Sequence, residues 1–230
     1  MARALVLVHS PVPEPGGRHV GTIAPALREL DYDVTIGTLI EGGDPVPEPD
    51  QLDALVIMGS AASADDDSVS WLARELAFVR RAVAVGTPVL GVCFGGQVLA
   101  RVLGGTVGRA PRPERGLVTL DSADPAVLPS ATWMEFHYDA FTLPPGAVEV
   151  ARNDIGVQAF TYGPHLGVQF HPEMTPDVWA AWNLKANIDL VALTAEVDAR
   201  ADTLATACRE LVARFHARSV VSAPAVRLPT

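Results

Sequence analysis

Short apolar runs alternate with helical patterns in the N-terminal part of the chain, and this alternation limits the choice of fold most strongly. The segments Ala4–Val8, Asp53–Met58 and Val89–Val92 have the apolar, β-branched content of buried strands. Between them, Val20–Leu30 and Val69–Val85 show the spacing of amphipathic helices. Strands that are joined through helices form βαβ crossovers in a parallel sheet. The sequence therefore predicts an α/β fold with a central, mostly parallel sheet and helices on both of its faces.

The pattern changes after Gly105. Short strand-like pieces separated by turns follow, among them Val157–Tyr162 and Leu166–Phe170. Such pieces predict a small antiparallel extension or sheet edge beside the parallel core. Further along, Thr194–Ala217 carries a helical pattern with one apolar stripe.

The size and composition of the chain favour one large domain. Its 230 residues are 49% hydrophobic and 19% charged, which is enough apolar material for a sizeable core. There is no internal repeat and no linker long enough to divide domains. We therefore expect a single domain over residues 1–218, followed by a flexible C-terminal tail over residues 219–230.

Charge and cysteine content exclude several classes of function. A formal net charge of −10 argues against a nucleic-acid partner and against an anionic membrane surface. The N-terminal apolar run is too short for a secretory signal, and no stretch is long enough to span a bilayer. The two cysteines, Cys93 and Cys208, are too few for a disulfide framework or a metal cluster. These features predict a cytoplasmic protein without a metal ion or other cofactor.

The segment Pro88–Gln97 carries the strongest chemical signal in the chain. Its strand ends at Cys93, which has Gly91 before it and Gly95 after it, and a helical pattern follows. A strand, a reactive side chain and a helix in this order are typical of a nucleophile elbow. The N-terminus of the helix can lower the pKa of a thiol and stabilise an oxyanion. On this pattern alone, a nucleophile and an ordinary buried cysteine fit equally well.

A catalytic thiol needs a base, and that base needs an orienting group. Among six histidines, His171 is the best placed because it follows the apolar run Leu166–Phe170 at the carboxyl end of a predicted strand. Glu173, two residues further on, can accept the ring N–H of His171 and select its tautomer. The alternative is a histidine at a strand end beside a solvated glutamate; the elbow favours the catalytic interpretation.

Four segments together resemble the class I (triad) glutamine amidotransferase family. They are Pro88–Gln97, His171–Glu173, Asp53–Ser60, which is similar to the oxyanion strand of the family, and Met134–Asp139, which is similar to its substrate-backbone segment. The chain most resembles the free-standing, GMP-synthase-like members, which lack a fused synthetase. The resemblance implies a flavodoxin-like amidotransferase fold.

The resemblance also implies a catalytic triad. Cys93 would attack the side-chain amide carbon of glutamine and form a γ-glutamyl thioester. His171 would protonate the departing ammonia and then activate water, while Glu173 would orient His171.

Six further positions acquire expected roles from the resemblance; they are Gly59, Ser60, Phe94, Gln97, Tyr138 and Asp139. Backbone N–H groups of Phe94 and of the Gly59/Ser60 turn would hold the oxyanion. Gln97 would help to hold polar groups of the substrate, and Tyr138 with Asp139 would present backbone to its amino-acid end. The turn of the family usually has paired glycines followed by proline, whereas Ser60 and Ala61 follow Gly59 here.

The expected function is therefore that of a glutaminase that supplies ammonia to a separate synthetase. Two alternatives remain open. The same site could hydrolyse γ-glutamyl peptides or amides, because only the γ-glutamyl half needs to be recognised. The chain could also be a non-catalytic, regulatory amidotransferase-like protein, although the intact cysteine, histidine and glutamate argue against that.

Overall fold

The computed structural model describes residues 1–10, 19–186 and 191–221. Within them the strands are β1 (Ala2–Leu7), β2 (Tyr32–Gly37), β3 (Ala54–Ile57), β4 (Val89–Val92), β5 (Val107–Leu120), β6 (Ala131–Phe141), β7 (Val148–Arg152), β8 (Val157–Tyr162) and β9 (His165–Val168). The helices are α1 (Ile23–Glu29), α2 (Leu72–Val85), α3 (Phe94–Val102), α4 (Pro176–Ala186), α5 (Val191–Ala199) and α6 (Ala201–Val221), and Pro49–Gln51 form a 3₁₀ turn.

A seven-stranded sheet in the order β2-β1-β3-β4-β9-β8-β7 forms the centre of the molecule. The pairs from β2 to β9 are parallel, while β8 runs antiparallel to β9 and β7 runs antiparallel to β8. β5 and β6 form a separate antiparallel pair. The predicted α/β fold, with its mostly parallel sheet and small antiparallel part, is confirmed.

Side chains alternate between the two faces of the sheet and so create two apolar layers. Val6 of β1 packs with residues of α1 and α6 on one face. Leu5 and Leu7 of the same strand pack with residues of α2 and α3 on the other. Both faces of the sheet are therefore covered by helices, as the alternating pattern predicts.

One expectation about the second half is wrong, and one strand there was not anticipated. The helix expected over Thr194–Ala217 is divided at Arg200 into α5 and α6, because Val197 of α5 packs against Trp179 while α6 packs beside α1 on the sheet. Met134–Asp139 lies within the long strand β6, which the sequence did not indicate. Buried charged side chains interrupt the apolar alternation in this strand.

The division into domains stays a prediction. α6 extends to Val221, and the remainder of the tail expected over residues 219–230 lies outside the described residues. In the part of the chain that the structure describes, no helix combines the length and apolarity needed to cross a bilayer.

Glycines allow α3 to lie at backbone distance from the central strands. A Cβ atom added to Gly95 would lie 2.1 Å from the carbonyl oxygen of Ile57 in β3, and one added to Gly96 would lie 2.4 Å from that of Val168 in β9. Side chains at these positions would push the helix away from the sheet. The two glycines therefore determine where the N-terminus of α3 lies.

We expect Gly95→Ala to lower the free energy of unfolding by about 1–3 kcal/mol or more, because the rigid backbone of β3 cannot move away from the added methyl group. Gly108→Ala is the matched control, since a Cβ atom there would meet no atom within 4 Å. Denaturant unfolding of both variants measures the difference. Similar losses in the two variants would show that the close approach of α3 is not what stabilises this region.

Candidate active site

Cys93 lies at the turn from β4 into α3 in a strained backbone conformation. Its φ of 51° and ψ of −107° lie outside the regions that non-glycine residues favour. Such a conformation costs about 1–3 kcal/mol and is typical of functional sites. The side chain is nearly buried, with 5% exposed, yet Cys93 lines a cavity. This is the elbow geometry that the sequence predicts.

His171 links Cys93 to Glu173. Its Nδ1–H donates to Glu173 Oε1 over 2.8 Å, and its ring also hydrogen-bonds with the Cys93 side chain. Burial disfavours a charged imidazole, but the negative charges of Glu173 and Cys93 outweigh that effect and raise the pKa of His171 well above 6.5. The arrangement favours an imidazolium beside the Cys93 sulfur.

Three other elements hold His171 and Glu173 in place. The backbone N–H of His171 donates to the carbonyl of Met134 in β6 over 2.7 Å. Trp182 of α4 sets its ring at 78° to the imidazole, with the ring centroids 4.6 Å apart. The carbonyl of Glu173 accepts the N–H of Thr22, just before α1, over 3.2 Å. Packing and hydrogen bonds therefore orient the imidazole before any substrate arrives.

The Gly59/Ser60 turn lies beside the thiol and the imidazole. A Cβ atom added to Gly59 would lie 2.8 Å from Cε1 of His171 and 3.8 Å from Cβ of Cys93. Ser60 itself lacks a positive φ: among the described non-glycine residues, only Asp31 and Cys93 have one. Serine therefore replaces a glycine in this turn without backbone strain.

A cavity of about 400 Å³ opens above these groups, which is a usual size for a small-molecule site. Five of the nine predicted site residues line it, namely Gly59, Ser60, Cys93, His171 and Glu173. Phe94 adjoins the cavity through the backbone. As the first residue of α3, it has an N–H without an acceptor within the helix.

Gln97, Tyr138 and Asp139 lie away from this cavity. The Nε2 of Gln97 donates to the carbonyl of Asp139 over 3.0 Å and approaches Oε1 of Gln169 at 3.4 Å. Tyr138 is 41% exposed, and its ring faces the guanidinium of Arg115. Their roles toward substrate stay predictions.

Gln169 is a neighbour of the thiol that sequence reasoning missed. Its Nε2 donates to Cys93 Sγ over 3.7 Å, while its Oε1 accepts from Gln97. Gln97 therefore reaches the thiol through Gln169. The position of Gln169 just beyond β9 gave no chemical signal, because a single glutamine in an apolar run has many structural uses.

His9 is a second cavity residue without an assigned role. It follows β1, at the edge where parallel strands present functional groups, and that place is the one signal in the sequence. Its Nδ1 hydrogen-bonds the Gly59 carbonyl over 2.9 Å, and its Nε2 lies 3.0 Å from both oxygens of Glu75. Burial opposes a charge on His9, but Glu75 outweighs it and raises the pKa of His9 above 6.5.

A third buried histidine, His137, lies between two carboxylates. Its Nε2 is 3.1 Å from Glu114 and 3.2 Å from Glu135, while its Nδ1–H donates to the carbonyl of Asp139. These three side chains could also hold a metal ion, since their ligand atoms lie within 4.8 Å of one another. Burial opposes the imidazolium, but the two carboxylates outweigh it and raise the pKa of His137 to about 10.

We expect His137 to make the folded protein less stable as the pH rises from 6.5 toward 10. In that range the folded state keeps a proton that the unfolded state releases, and the slope is at most about 1.4 kcal/mol per pH unit. His165 is the matched control. Burial lowers its pKa to about 4, so its effect on the free energy of unfolding changes only at pH values below 6.5. The measurement is denaturant unfolding of His137→Gln and His165→Gln at pH 5, 6.5 and 9. If the difference in unfolding free energy between the wild type and His137→Gln were the same at pH 6.5 and at pH 9, the expectation would be contradicted.

We also expect iodoacetamide to alkylate Cys93 much faster than Cys208, measured by mass spectrometry. Cys208 is fully buried, and burial raises the pKa of its thiol, whereas Cys93 faces the cavity beside His171. Glu173→Gln should slow the alkylation of Cys93 at neutral pH, because the charge that stabilises the neighbouring imidazolium is lost. Cys208→Ala, the control, should leave the rate unchanged. Equal rates at the two cysteines would contradict the assignment of Cys93 as the reactive thiol.

Residues 18–188 match the family model described as "Glutamine amidotransferase class-I". This range includes the elbow, His171, Glu173 and the Gly59/Ser60 turn. It spans most of the described core, including all strands after β1.

Three relatives carry names of two kinds. The chain is 35% identical over 171 residues to a glutamine-hydrolyzing GMP synthase of Aeropyrum pernix, an alignment covering 69% of this chain and 31% of that protein. It is 36% identical over 141 residues to a glutamine-hydrolyzing GMP synthase subunit of Ignicoccus hospitalis, covering 56% of this chain and 71% of that protein. It is also 34% identical over 145 residues to gamma-glutamyl peptidase 5 of Arabidopsis thaliana, an alignment that covers 56% of this chain and 57% of that protein. The chain thus spans less than two thirds of the Aeropyrum and Arabidopsis proteins.

Solved structures agree with the fold. A glutamine amido transferase from Methylobacillus flagellatus superposes with a TM-score of 0.81 over 94% of both chains, at 27% sequence identity. The similarity in structure thus extends over nearly the whole chain.

Proposed function

The chain belongs to the class-I glutamine amidotransferase family, and we propose that it hydrolyses the side-chain amide of glutamine through a thioester on Cys93. One observation carries this proposal: His171 joins the strained elbow cysteine to Glu173 at the base of an open cavity. A histidine held between a thiol and a carboxylate is the arrangement that nucleophilic catalysis by cysteine requires.

In the acylation step, the Cys93 thiolate attacks the side-chain amide carbon and a tetrahedral oxyanion forms. The N–H groups of Ser60 and Phe94 are the proposed donors to that oxygen, because one lies in the turn beside the thiol and the other begins α3. The His171 imidazolium then gives its proton to the amide nitrogen, the C–N bond breaks, and ammonia leaves. Cys93 now carries the γ-glutamyl group as a thioester.

Deacylation reverses the proton transfers. Neutral His171 accepts a proton from a water molecule, and the resulting hydroxide attacks the thioester carbon. The C–S bond breaks, glutamate leaves, and the thiolate–imidazolium pair is restored. Glu173 keeps the same hydrogen bond throughout, so that His171 acts as acid and base from a single orientation.

The ammonia acceptor is proposed to be a separate synthetase in the cytoplasm. The Ignicoccus relative is named as a subunit of a GMP synthase, and hence as one part of an assembly, which supports this proposal. The net charge of −10 and the free cysteines Cys93 and Cys208 favour an intracellular partner protein over a nucleic acid or a membrane.

Hydrolysis of γ-glutamyl peptides or amides is the second candidate. The Arabidopsis relative is named a gamma-glutamyl peptidase. In addition, Phe136 and Trp182 form an apolar wall of the cavity beside His171, with space for a leaving group larger than ammonia. A non-catalytic, regulatory role is less well supported, because the contacts among Cys93, His171 and Glu173 are all formed.

We expect the purified protein to release ammonia from glutamine, either on its own or at a higher rate when a synthetase is present. Cys93→Ala should lower this rate by at least about 10³-fold. Glu173→Gln should lower kcat and move the basic limb of the pH–rate profile to lower pH, because His171 then loses its proton more readily. Coupled enzymatic assays of the ammonia and the glutamate released give the rates of the wild type and of both variants.

Cys208→Ala is the matched control and should keep the wild-type rate. Turnover of γ-glutamyl dipeptides without turnover of glutamine would favour the second candidate. If Cys93→Ala kept the wild-type activity, the proposed nucleophile would be wrong.

A further inference from the structure

His9 and Glu75 form a buried pair next to the turn that is proposed to bind the oxyanion. The side chains are 3% and 2% exposed. Glu75 lies in the first turn of α2, and His9 follows β1. A buried histidine–carboxylate pair costs solvation energy, and nothing in the triad itself uses this one.

Both ring nitrogens of His9 face hydrogen-bond acceptors. The Gly59 carbonyl can only accept, so Nδ1 must carry a proton. Glu75 presents both carboxylate oxygens to Nε2 at 3.0 Å. An imidazolium that donates to both partners satisfies all these contacts at once.

The contact with Gly59 fixes the orientation of a peptide plane. No peptide bond among the described residues is cis, so the carbonyl of Gly59 and the N–H of Ser60 point in opposite directions. While His9 holds the carbonyl, the Ser60 N–H faces away from the His9 ring. A Cβ atom added to Gly59 would lie 2.8 Å from the His171 ring, which places this peptide beside the proposed reaction centre.

His9 also contacts the second proposed donor residue. Its ring lies edge-on to Phe94, with the centroids 4.7 Å apart, and stacks on Trp71 at 5.0 Å. The same side chain therefore touches the residues at both ends of the expected oxyanion site. Trp71 and Phe94 also keep water from the pair, which strengthens its electrostatic interactions.

We propose that His9, held by Glu75, is a positioning residue that fixes and polarises the Gly59–Ser60 peptide so that its N–H is aimed at the oxyanion. This inference rests on the proposed function. A donor that is oriented before charge develops needs no reorganisation during the reaction. A charged donor on the carbonyl also makes the N–H of the same peptide a stronger donor.

The turn explains why such an anchor is useful here. Ser60 and Ala61 stand where the family usually has glycine and proline, and neither residue restricts the peptide as proline does. Ser60 Oγ accepts the N–H of Ala62 over 3.1 Å, which is a contact within the turn itself. The carbonyl contact from His9 supplies the missing restraint.

Kinetics of His9→Ala and Glu75→Gln test the inference against a merely structural role. We expect His9→Ala to lower kcat about 10- to 100-fold with KM within about threefold, and Glu75→Gln to fall between it and the wild type. Alkylation of Cys93 by iodoacetamide should stay within about twofold in both variants, because displacement of iodide forms no oxyanion. His216→Gln, which loses a hydrogen bond to Tyr32 outside the cavity, is the matched control and should keep the wild-type kcat.

A crystal structure of His9→Ala gives a readout that does not depend on activity. We expect the Gly59–Ser60 peptide to be rotated relative to its orientation in the wild type. Wild-type kcat in His9→Ala, a parallel loss of alkylation and turnover, or an unrotated peptide would each overturn the inference. If the wild type hydrolyses neither glutamine nor γ-glutamyl peptides, the proposed function fails, and the orientation of the peptide still decides whether His9 is the anchor.

Discussion

The close approach of α3 to the central strands is the constraint on which the rest of the site depends. Because Gly95 and Gly96 lie against carbonyl oxygens of β3 and β9, the helix begins directly above the sheet and the chain must turn sharply at Cys93. The strained φ of Cys93 follows from that turn, and it is maintained by the packing on both sides of it. The same turn leaves the N–H of Phe94 free of acceptors within the helix. One packing arrangement therefore positions the proposed nucleophile and a proposed donor for the charge that it would generate.

Three buried histidines, each beside one or two glutamates, determine the electrostatics near this thiol. His171 touches it, His9 holds the neighbouring turn, and His137 lies behind it among the carboxylates of β5 and β6. A negative charge on Cys93 helps to raise the pKa of both His137 and His171. The paired glutamates keep these cations in place and compensate for the loss of water.

Sequence reasoning identified the parts of the site that local pattern determines and missed those that depend on tertiary contacts. The elbow at Cys93 was visible because a buried strand, a polar break and a helix follow one another directly along the chain. His171 and Glu173 could be placed because they follow a predicted strand. β6 was not recognised, since its buried Glu135 and His137 read as surface residues until their partners on β5 and in the site are known. Gln169 was missed for the same reason, because only the pairing of β4 with β9 brings it to the sulfur.

The divided roles of these groups also explain why the sequence leaves the choice of substrate open. In the proposed mechanism, Cys93, His171, Glu173 and the oxyanion turn act on the γ-carbonyl carbon and its oxygen, which glutamine and a γ-glutamyl peptide share. In the proposed reaction, discrimination comes from what surrounds the leaving nitrogen, where Phe136 and Trp182 supply apolar surface. Ammonia gains nothing from an apolar wall, whereas an amino acid or peptide leaving group buries surface against it. We therefore expect the balance between the two proposed activities to depend on the side chains of β6 and α4, and to change without any change in the proposed triad.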